Sequence, residues 1–390
     1  MRALTGGTIY VSPTEEPIED GVLLIEGSSI AAAGRRDSVP IPEASEALDC
    51  SRLTITAGFW NSHVHFFERK WANAGEMPAD ELSRQLQEFT RYGFTSVFDL
   101  SSQWENTRRI RERIESGEVR GPSIRSTGVG LIPPGGMPPE SVTRVLGMAP
   151  VRLPEVSDSA HAVAVSRKIL RDGVDGLKLF VSGAPSMPPA SLSESVMRAA
   201  VHEAHAAGKP VFAHPNSGAD VASAVAAGVD VIAHTTPLSG AWNEALLGTM
   251  LERSVAITPT LSLWQDAMRH DRISVQEQFV GTAVQQLQAW HDLGAEVLFG
   301  TDYGAVGADP SAEYALMSDA GMNFREILAA LTTAPAARFG KSDKLGRITA
   351  GFQADIAVLS GNPAAGLHHL AEVMYTLRRG EVVYRNTGAP

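Results

Sequence analysis

From roughly Gly58 to Gly340, short apolar runs alternate with amphipathic helical stretches, which predicts an α/β fold, a (β/α)8 TIM barrel. Such alternation implies a parallel sheet with crossover helices, and eight βα pairs over about 280 residues suit a barrel whose usual length is roughly 250. Both ends of the chain are β-rich instead. Residues 1–57 and 341–390 are therefore expected to form one small β domain beside the barrel of residues 58–340.

Thr8–Val11, Val22–Ile25 and Ser29–Ala33 are the apolar runs of the first end, broken by Gly, Pro and Asp. Asp355–Leu359, Val373–Leu377 and Glu381–Tyr384 repeat that character at the other end, with a hairpin turn expected around Arg379-Gly380. Between them the expected strands are Thr54–Asn61, Thr95–Leu100, Ser123–Gly128, Gly176–Val181, Pro210–Ala213, Val229–Ala233, Val255–Thr258 and Glu296–Gly300. Helical spacing covers Ala79–Tyr92, Trp104–Ser116, Val156–Asp172, Ser193–Ala207, Ser217–Ala227, Leu246–Arg253, Val275–Leu293 and Asn323–Leu331.

Composition narrows the partners. The 390 residues are 44% hydrophobic and 20% charged, ordinary for a globular protein with a full core. A formal net charge of −11 argues against nucleic acid and anionic membranes and leaves a small-molecule substrate. Cys50 is the one cysteine, so no internal disulfide can form, and no apolar stretch is long enough to span a bilayer. A cytoplasmic protein without a targeting segment is expected, and the oligomeric state stays open, a homo-oligomer included.

Barrel active sites lie at the carboxyl ends of the strands, so the polar residues there carry the functional reading. The first strand ends in His63-Val64-His65, and side chains two apart on a strand share a face, which can bring two imidazoles to one metal ion. Lys178 interrupts the apolar run Leu177–Val181, where a buried ammonium is costly unless neutralised or paired. His214 and His234 directly follow the fifth and sixth strands, and Asp302 follows the eighth at the same level. Each residue alone has an ordinary explanation; six at the ends of strands one, four, five, six and eight point to a metal site.

These residues, in this order, resemble the amidohydrolase superfamily of metal-dependent barrel hydrolases. The segment Leu345–Ile356 is similar to that family's return into its β-sandwich domain. The stretches Ala204–Pro210 and Thr332–Ala336 are closest to its branch of prolidase-like and imidazolonepropionase-related enzymes. The resemblance implies two divalent ions, Zn2+ first and Mn2+ next, activating a water. His63, His65 and Asp302 would hold one ion and His214 and His234 the other, with Lys178 carboxylated as the bridge. It implies that Asp302 is also the catalytic acid–base. A free Lys178 amine paired with Asp302 in a one-metal site is the alternative.

The remaining features bear on substrate. Relatives with dipeptidase activity tend to read Gly-Gly-His where this chain has Gly135-Gly136-Met137, and to carry a tyrosine where Leu192 stands. Neither Met137 nor Leu192 can pair a substrate carboxylate. Phe66, Phe67, Trp104, Leu261 and Trp264 offer an apolar set. Hydrolysis of an amide, ester or carbamate bond in a small substrate with a bulky apolar group is therefore expected, with an Xaa-Pro or Xaa-Arg dipeptidase as the alternative. A deaminase fits less well, because no acid follows His214 until Asp220. Asp99 and Tyr303 are candidate pocket residues or plain structural ones, the Pro-rich loop Ile132–Pro139 is a candidate lid, and the other histidines are expected on the surface.

Overall fold

The computed structural model describes residues 1–136, 153–183 and 190–388. The first end supplies β1 (Arg2–Ile9), β2 (Ile18–Glu26), β3 (Ser29–Arg35), β4 (Glu46–Asp49) and β5 (Thr54–Ala57). Then follow β6 (Phe59–Val64), β7 (Phe94–Asp99) and β8 (Ser123–Ser126), which form a parallel three-stranded sheet. A second parallel sheet is made by β9 (Leu177–Phe180), β10 (Val211–His214), β11 (Val231–Ala233) and β12 (Ala256–Thr258). The last strands are β13 (Ile356–Leu359), β14 (Val373–Arg378) and β15 (Glu381–Arg385).

Both ends of the chain meet in one eight-stranded sheet, ordered β15-β14-β13-β5-β1-β2-β3, with β4 also paired to β1. β1 branches the sheet: its first half pairs β4 and its last residues pair β5. Alternation sends Leu4, Leu23 and Ile25 to one apolar cluster and Ala3, Val22 and Leu24 to another, as expected for side chains on opposite faces. The β14–β15 turn has Arg379 and Gly380 both at positive φ, the geometry that suits a two-residue hairpin. β4 and the first half of β1 escaped the sequence reading, since neither has the expected apolar run.

The strand expected over Thr54–Asn61 is in fact two. β5 stays in the terminal sheet, and β6 starts the first parallel sheet after Gly58. A Cβ on Gly58 would lie 2.3 Å from Thr95 Oγ1, so only glycine lets the chain pass there. The expected eighth strand forms no continuous ladder. Val297 makes a single parallel bridge to Ile257, while Phe299 donates its N–H to the carbonyl of Ala330 instead. On the other side, Ser62 donates to Phe299 and Asp302 to His63, and Val64 bridges Tyr303. A further single bridge, Leu131–Leu179, runs from the chain beyond β8 to β9.

Helices lie between the strands close to their expected spans. Asp158, Ser193, Ser217, Asn243 and Asn323 accept backbone N–H groups at their starts, and Asn323 forms a capping box with Glu326. The helices Leu261–Ala267, Ser311–Asp319 and Thr333–Arg338 were not anticipated. Trp60, Phe98, Phe212, Val231, Ala256 and Leu298, drawn from different strands, pack with Phe339 into an interior plug. A larger cluster fills the space between strands and helices. Among the described residues no helix is long and apolar enough to cross a membrane.

Gly300 shows how closely the segment after Val297 approaches β6. A Cβ there would sit 2.7 Å from His63 Cβ and 3.2 Å from both His63 N and Thr258 Cβ. None of these atoms is the free end of a flexible chain. Gly300→Ala is expected to destabilise the protein by about 1–3 kcal/mol, as overpacking does. A thermal melt of the purified variant checks it, and an unchanged midpoint would contradict the close approach.

Candidate metal centre

Strand register explains why the polar residues converge. Phe212 pairs with Lys178 and His214 with Phe180 across β10 and β9, and Phe212 belongs to the interior plug. Lys178 and His214 therefore face the interior above that plug. His234 is different. Val231 points inward and Ile232 outward, so plain alternation would carry the His234 ring outward. Its left-handed backbone, φ 78°, turns it inward instead, to 4.6 Å from the His63 ring and 4.5 Å from the His214 ring. Asp302 also has a left-handed backbone, φ 60°. Backbone strain of this kind concentrates at functional sites.

His63, His65 and Asp302 form a group whose ligand atoms all lie within 4.8 Å of one another. Asp302 Oδ1 is 3.0 Å from His65 Nε2 and 3.3 Å from His63 Nε2. His65 Nδ1 lies 3.2 Å from the carbonyl of Ser101, which can only accept, so that nitrogen carries the proton and Nε2 presents a lone pair. A lone pair facing a carboxylate oxygen is repulsive unless a cation sits between them. His63 Nε2, Asp302 Oδ1 and Lys178 Nζ are also buried without a hydrogen-bonding partner, which costs free energy unless a ligand satisfies them. This donor set, imidazole and carboxylate, suits Zn2+ or a neighbouring divalent ion.

Electrostatics agree. Burial, then the Lys178 charge, pushes His63 well below its ordinary pKa and brings His214 down to about 4, so both rings are neutral, the form that ligates. Burial and then His214 do the same to His234. Burial pulls Lys178 down to about 7 although Asp302 and Asp99 pull it back up. Burial acts to raise Asp302, but its contacts with His65, His234 and Lys178 outweigh it and hold the carboxyl well below its ordinary pKa. The Lys178 ammonium has the Phe180 ring 5.4 Å away.

A layer of residues that the sequence reading did not pick out holds the site. Thr258 Oγ1 lies 3.4 Å from His63 Nδ1, and Thr260 Oγ1 lies 2.6 Å from His234 Nδ1. The carboxylate of Asp99 is fully buried and accepts from Ser102 Oγ, Ser126 Oγ and the Phe66 N–H, so it ties the end of β8 to the chain beyond β6 and β7. Positive φ at Ser101 and Thr260 marks the same layer. Such partners leave little trace in sequence, because hydroxyl and acidic residues are common at strand ends.

The geometry places the other candidate residues. Tyr303 is turned away from the metal group and donates its hydroxyl to Glu88, which also pairs with Lys70 at 2.7 Å. Phe66 packs inside against Trp71 and Phe89, and Leu261 is fully buried. Trp104 donates its Nε1 hydrogen to the carbonyl of Asp172. Leu192 is part of the large core cluster, while Met137 lies outside the described residues. The apolar groups beside the ligands are Phe67, stacked on His65 at 4.4 Å, Phe180, 5.4 Å from His214, and Trp264, 6.1 Å from His234. Asp220 is engaged by Ser182 Oγ and the Asn216 N–H. Of the other histidines, His205 pairs with Asp230 and His291 is half-buried against Glu326. His368 and His369 form a solvent-facing group with Glu372.

One family model, that of the amidohydrolase family, matches residues 54–384. Among solved structures, a Xaa-Pro dipeptidase with methionine bound in its active site aligns with a TM-score of 0.83 at 21% identity, covering 99% of this chain and 100% of its own. A prolidase complexed with N-methylphosphonate-L-proline aligns at 0.81 and 26% identity over 99% and 100%. The ochratoxinase of A. niger aligns at 0.80 and 19% identity over 99% and 96%. At 19–21% identity the likeness is one of fold. No curated protein matches the chain.

The position of Tyr303 yields a test. Tyr303→Phe removes a hydrogen bond to a carboxylate that Lys70 still neutralises, so stability should fall by about 1–3 kcal/mol. Turnover should stay at the wild-type level, because the lost hydroxyl faces Glu88. Chemical denaturation beside steady-state kinetics reads both, and a large loss in kcat at unchanged stability would return Tyr303 to the pocket.

Proposed function

The chain belongs to the amidohydrolase family of metal-dependent hydrolases, and from that premise we propose that it cleaves an amide, ester or carbamate bond in a small substrate with a bulky apolar group. The carrying observation is the buried convergence of His63, His65 and Asp302, with unpartnered atoms on His63, Asp302 and Lys178. In this reading the two parallel sheets, the Glu296–Asp302 segment and the single bridges between them make up a (β/α)8 barrel. Residues 1–57 and 341–390 form the second domain.

His63, His65 and Asp302 would hold one divalent ion, and His214 and His234 a second. Lys178 would join them after its neutral amine adds to CO2 and releases a proton, giving a carbamate. A pKa brought down to about 7 makes that neutral amine available, and the carbamate removes a buried cation. Ions bound there lower the pKa of a water and polarise a carbonyl. Asp302 turns Oδ1 toward the histidines, which leaves Oδ2 to take a proton from the attacking water and return it to the leaving group. Ser101 holds His65 in the tautomer that leaves Nε2 bare.

Phe67, Phe180 and Trp264 flank the ligand histidines and are partly exposed, so they can cover apolar substrate surface. Each Å² they cover contributes roughly 25 cal/mol. Lys70, in the segment after β6, is already paired with Glu68 and Glu88. A dipeptidase remains the second reading, because the prolidase solved with N-methylphosphonate-L-proline aligns along nearly the whole chain.

Elemental analysis after growth in zinc or manganese should find about two divalent ions per chain, and Lys178→Ala should lose at least one. A single ion together with an unmodified Lys178 amine, judged by 13CO2 labelling, would reject the bridged site.

The substrate reading is tested by kcat/KM on N-acyl amides, esters and carbamates carrying bulky apolar groups, measured beside Xaa-Pro and Xaa-Arg dipeptides. The apolar set should be preferred. Tenfold or greater preference for a dipeptide would establish the second reading.

A further inference from the structure

Glu313 lies on the helix Ser311–Asp319 and is fully buried. A carboxylate in that position is costly, and burial pushes Glu313 up to about 7 although backbone N–H groups pull it down. Those N–H groups belong to Leu261, 2.9 Å from Oε1, and Ser262, 2.7 Å from Oε2, the first turn of the helix Leu261–Ala267.

Capping that helix would ordinarily fall to its own N-cap residue, Thr260, since threonine is a common cap. Thr260 makes no such bond. Its hydroxyl donates to the carbonyl of Pro259 at 2.9 Å and lies 2.6 Å from His234 Nδ1. A Thr260 hydroxyl that gives its one hydrogen to Pro259 accepts from the ring, which would put the His234 proton on Nδ1 and leave Nε2 bare. To reach the ring Thr260 adopts a left-handed backbone, φ 47°, that a β-branched residue rarely takes. The same short helix makes a second contact beside the ligand: Trp264 Nε1 donates to Thr235 Oγ1 at 2.8 Å. A helix of seven residues has little stability of its own, so the Glu313 carboxylate, the Trp264 contact and the buried Leu261 side chain dock it together.

We propose that Glu313 is a positioning residue for the metal centre. By capping the helix Leu261–Ala267 in place of Thr260, it frees the Thr260 hydroxyl to hold His234 in the tautomer and orientation that ligates. Glu313 touches neither metal nor substrate in this arrangement; it acts through Thr260. The inference rests on reading His234 as a metal ligand.

The test compares the wild type with Glu313→Gln, Thr260→Val and the double variant. One readout is the 15N shifts of the His234 ring in the metal-free protein, which report the tautomer. The other is Zn2+ affinity by competition with a chromophoric chelator. Glu313→Gln should move His234 away from the Nδ1-protonated form and weaken one of the two Zn2+ steps by about 10–100-fold, the usual effect of losing an outer partner of a ligand. Thr260→Val should weaken the same step, and the double variant should add nothing further, because both changes cut one chain of contacts. Should Glu313→Gln fail to fold, Glu313→Asp, with its shorter carboxylate, carries the same comparison. A Glu313 variant with a lower melting temperature but wild-type tautomer and Zn2+ affinity would overturn the proposal and leave Glu313 a helix cap alone. Two Zn2+ retained by His234→Ala would instead defeat the reading of His234 as a ligand, while the metal-free ring shifts still judge the coupling to Glu313.

Discussion

Lys178, His63, His234 and Asp302 are buried together, and that is the constraint on which the rest of the structure depends. Hydrophobic packing cannot reward such a group, because each member loses water and gains only neighbours with the same unsatisfied need. Two outcomes lower the cost. The histidines become neutral, and the ligand atoms of His63, His65 and Asp302 come within 4.8 Å of one another, a candidate place for a divalent ion. The interior plug around Phe98, Phe212 and Phe339 lies beneath this group and gives it an apolar floor.

Holding the group in place requires backbone that regular strands do not supply. A strand delivers side chains at period two, which suffices for Lys178 and His214. His234 falls out of phase and reaches the interior through a left-handed φ, and Asp302, two steps beyond Leu298 on the inward phase, has a left-handed φ as well. Each strained residue is fastened by a neighbour. Thr260 meets His234, and the Asp302 N–H is taken by the His63 carbonyl. The next residue, Tyr303, is pinned at its far end by Glu88. Strain at the ligands and rigidity around them are two sides of one arrangement.

How much of this could be read in advance follows from the same physics. Lys178 was conspicuous because a cation in an apolar run has few innocent explanations, and the histidines because they stand at strand ends. Strand phase was legible where one face is apolar, as in Leu177–Phe180, and lost where pairing is irregular, as in Glu296–Gly300. The break at Gly58 escaped notice because the apolar pattern runs straight through it, although the chain changes sheets there. Thr258, Thr260, Ser101 and Glu313 were invisible for another reason. Their roles depend on partners far away in sequence, and a threonine after a strand looks the same whether or not it meets an imidazole. Of the five apolar residues singled out, Phe67 and Trp264 flank the candidate ligand histidines, whereas Phe66, Trp104 and Leu261 are engaged elsewhere.

The terminal sheet has a consequence for the order in which the molecule can assemble. β5 is flanked by β1 on one side and β13 on the other, and Thr56 faces Ala357, 301 positions later. Contacts of such sequence separation form late, because the loop they close is long and its entropy must be lost first. β5 runs through Gly58 directly into β6, the strand that carries His63. During synthesis, one edge of β5 therefore stays unpaired until residues 356–359 emerge, and the first histidine pair is braced from below only then. A segment made late thus closes the sheet edge beside residues that were made early.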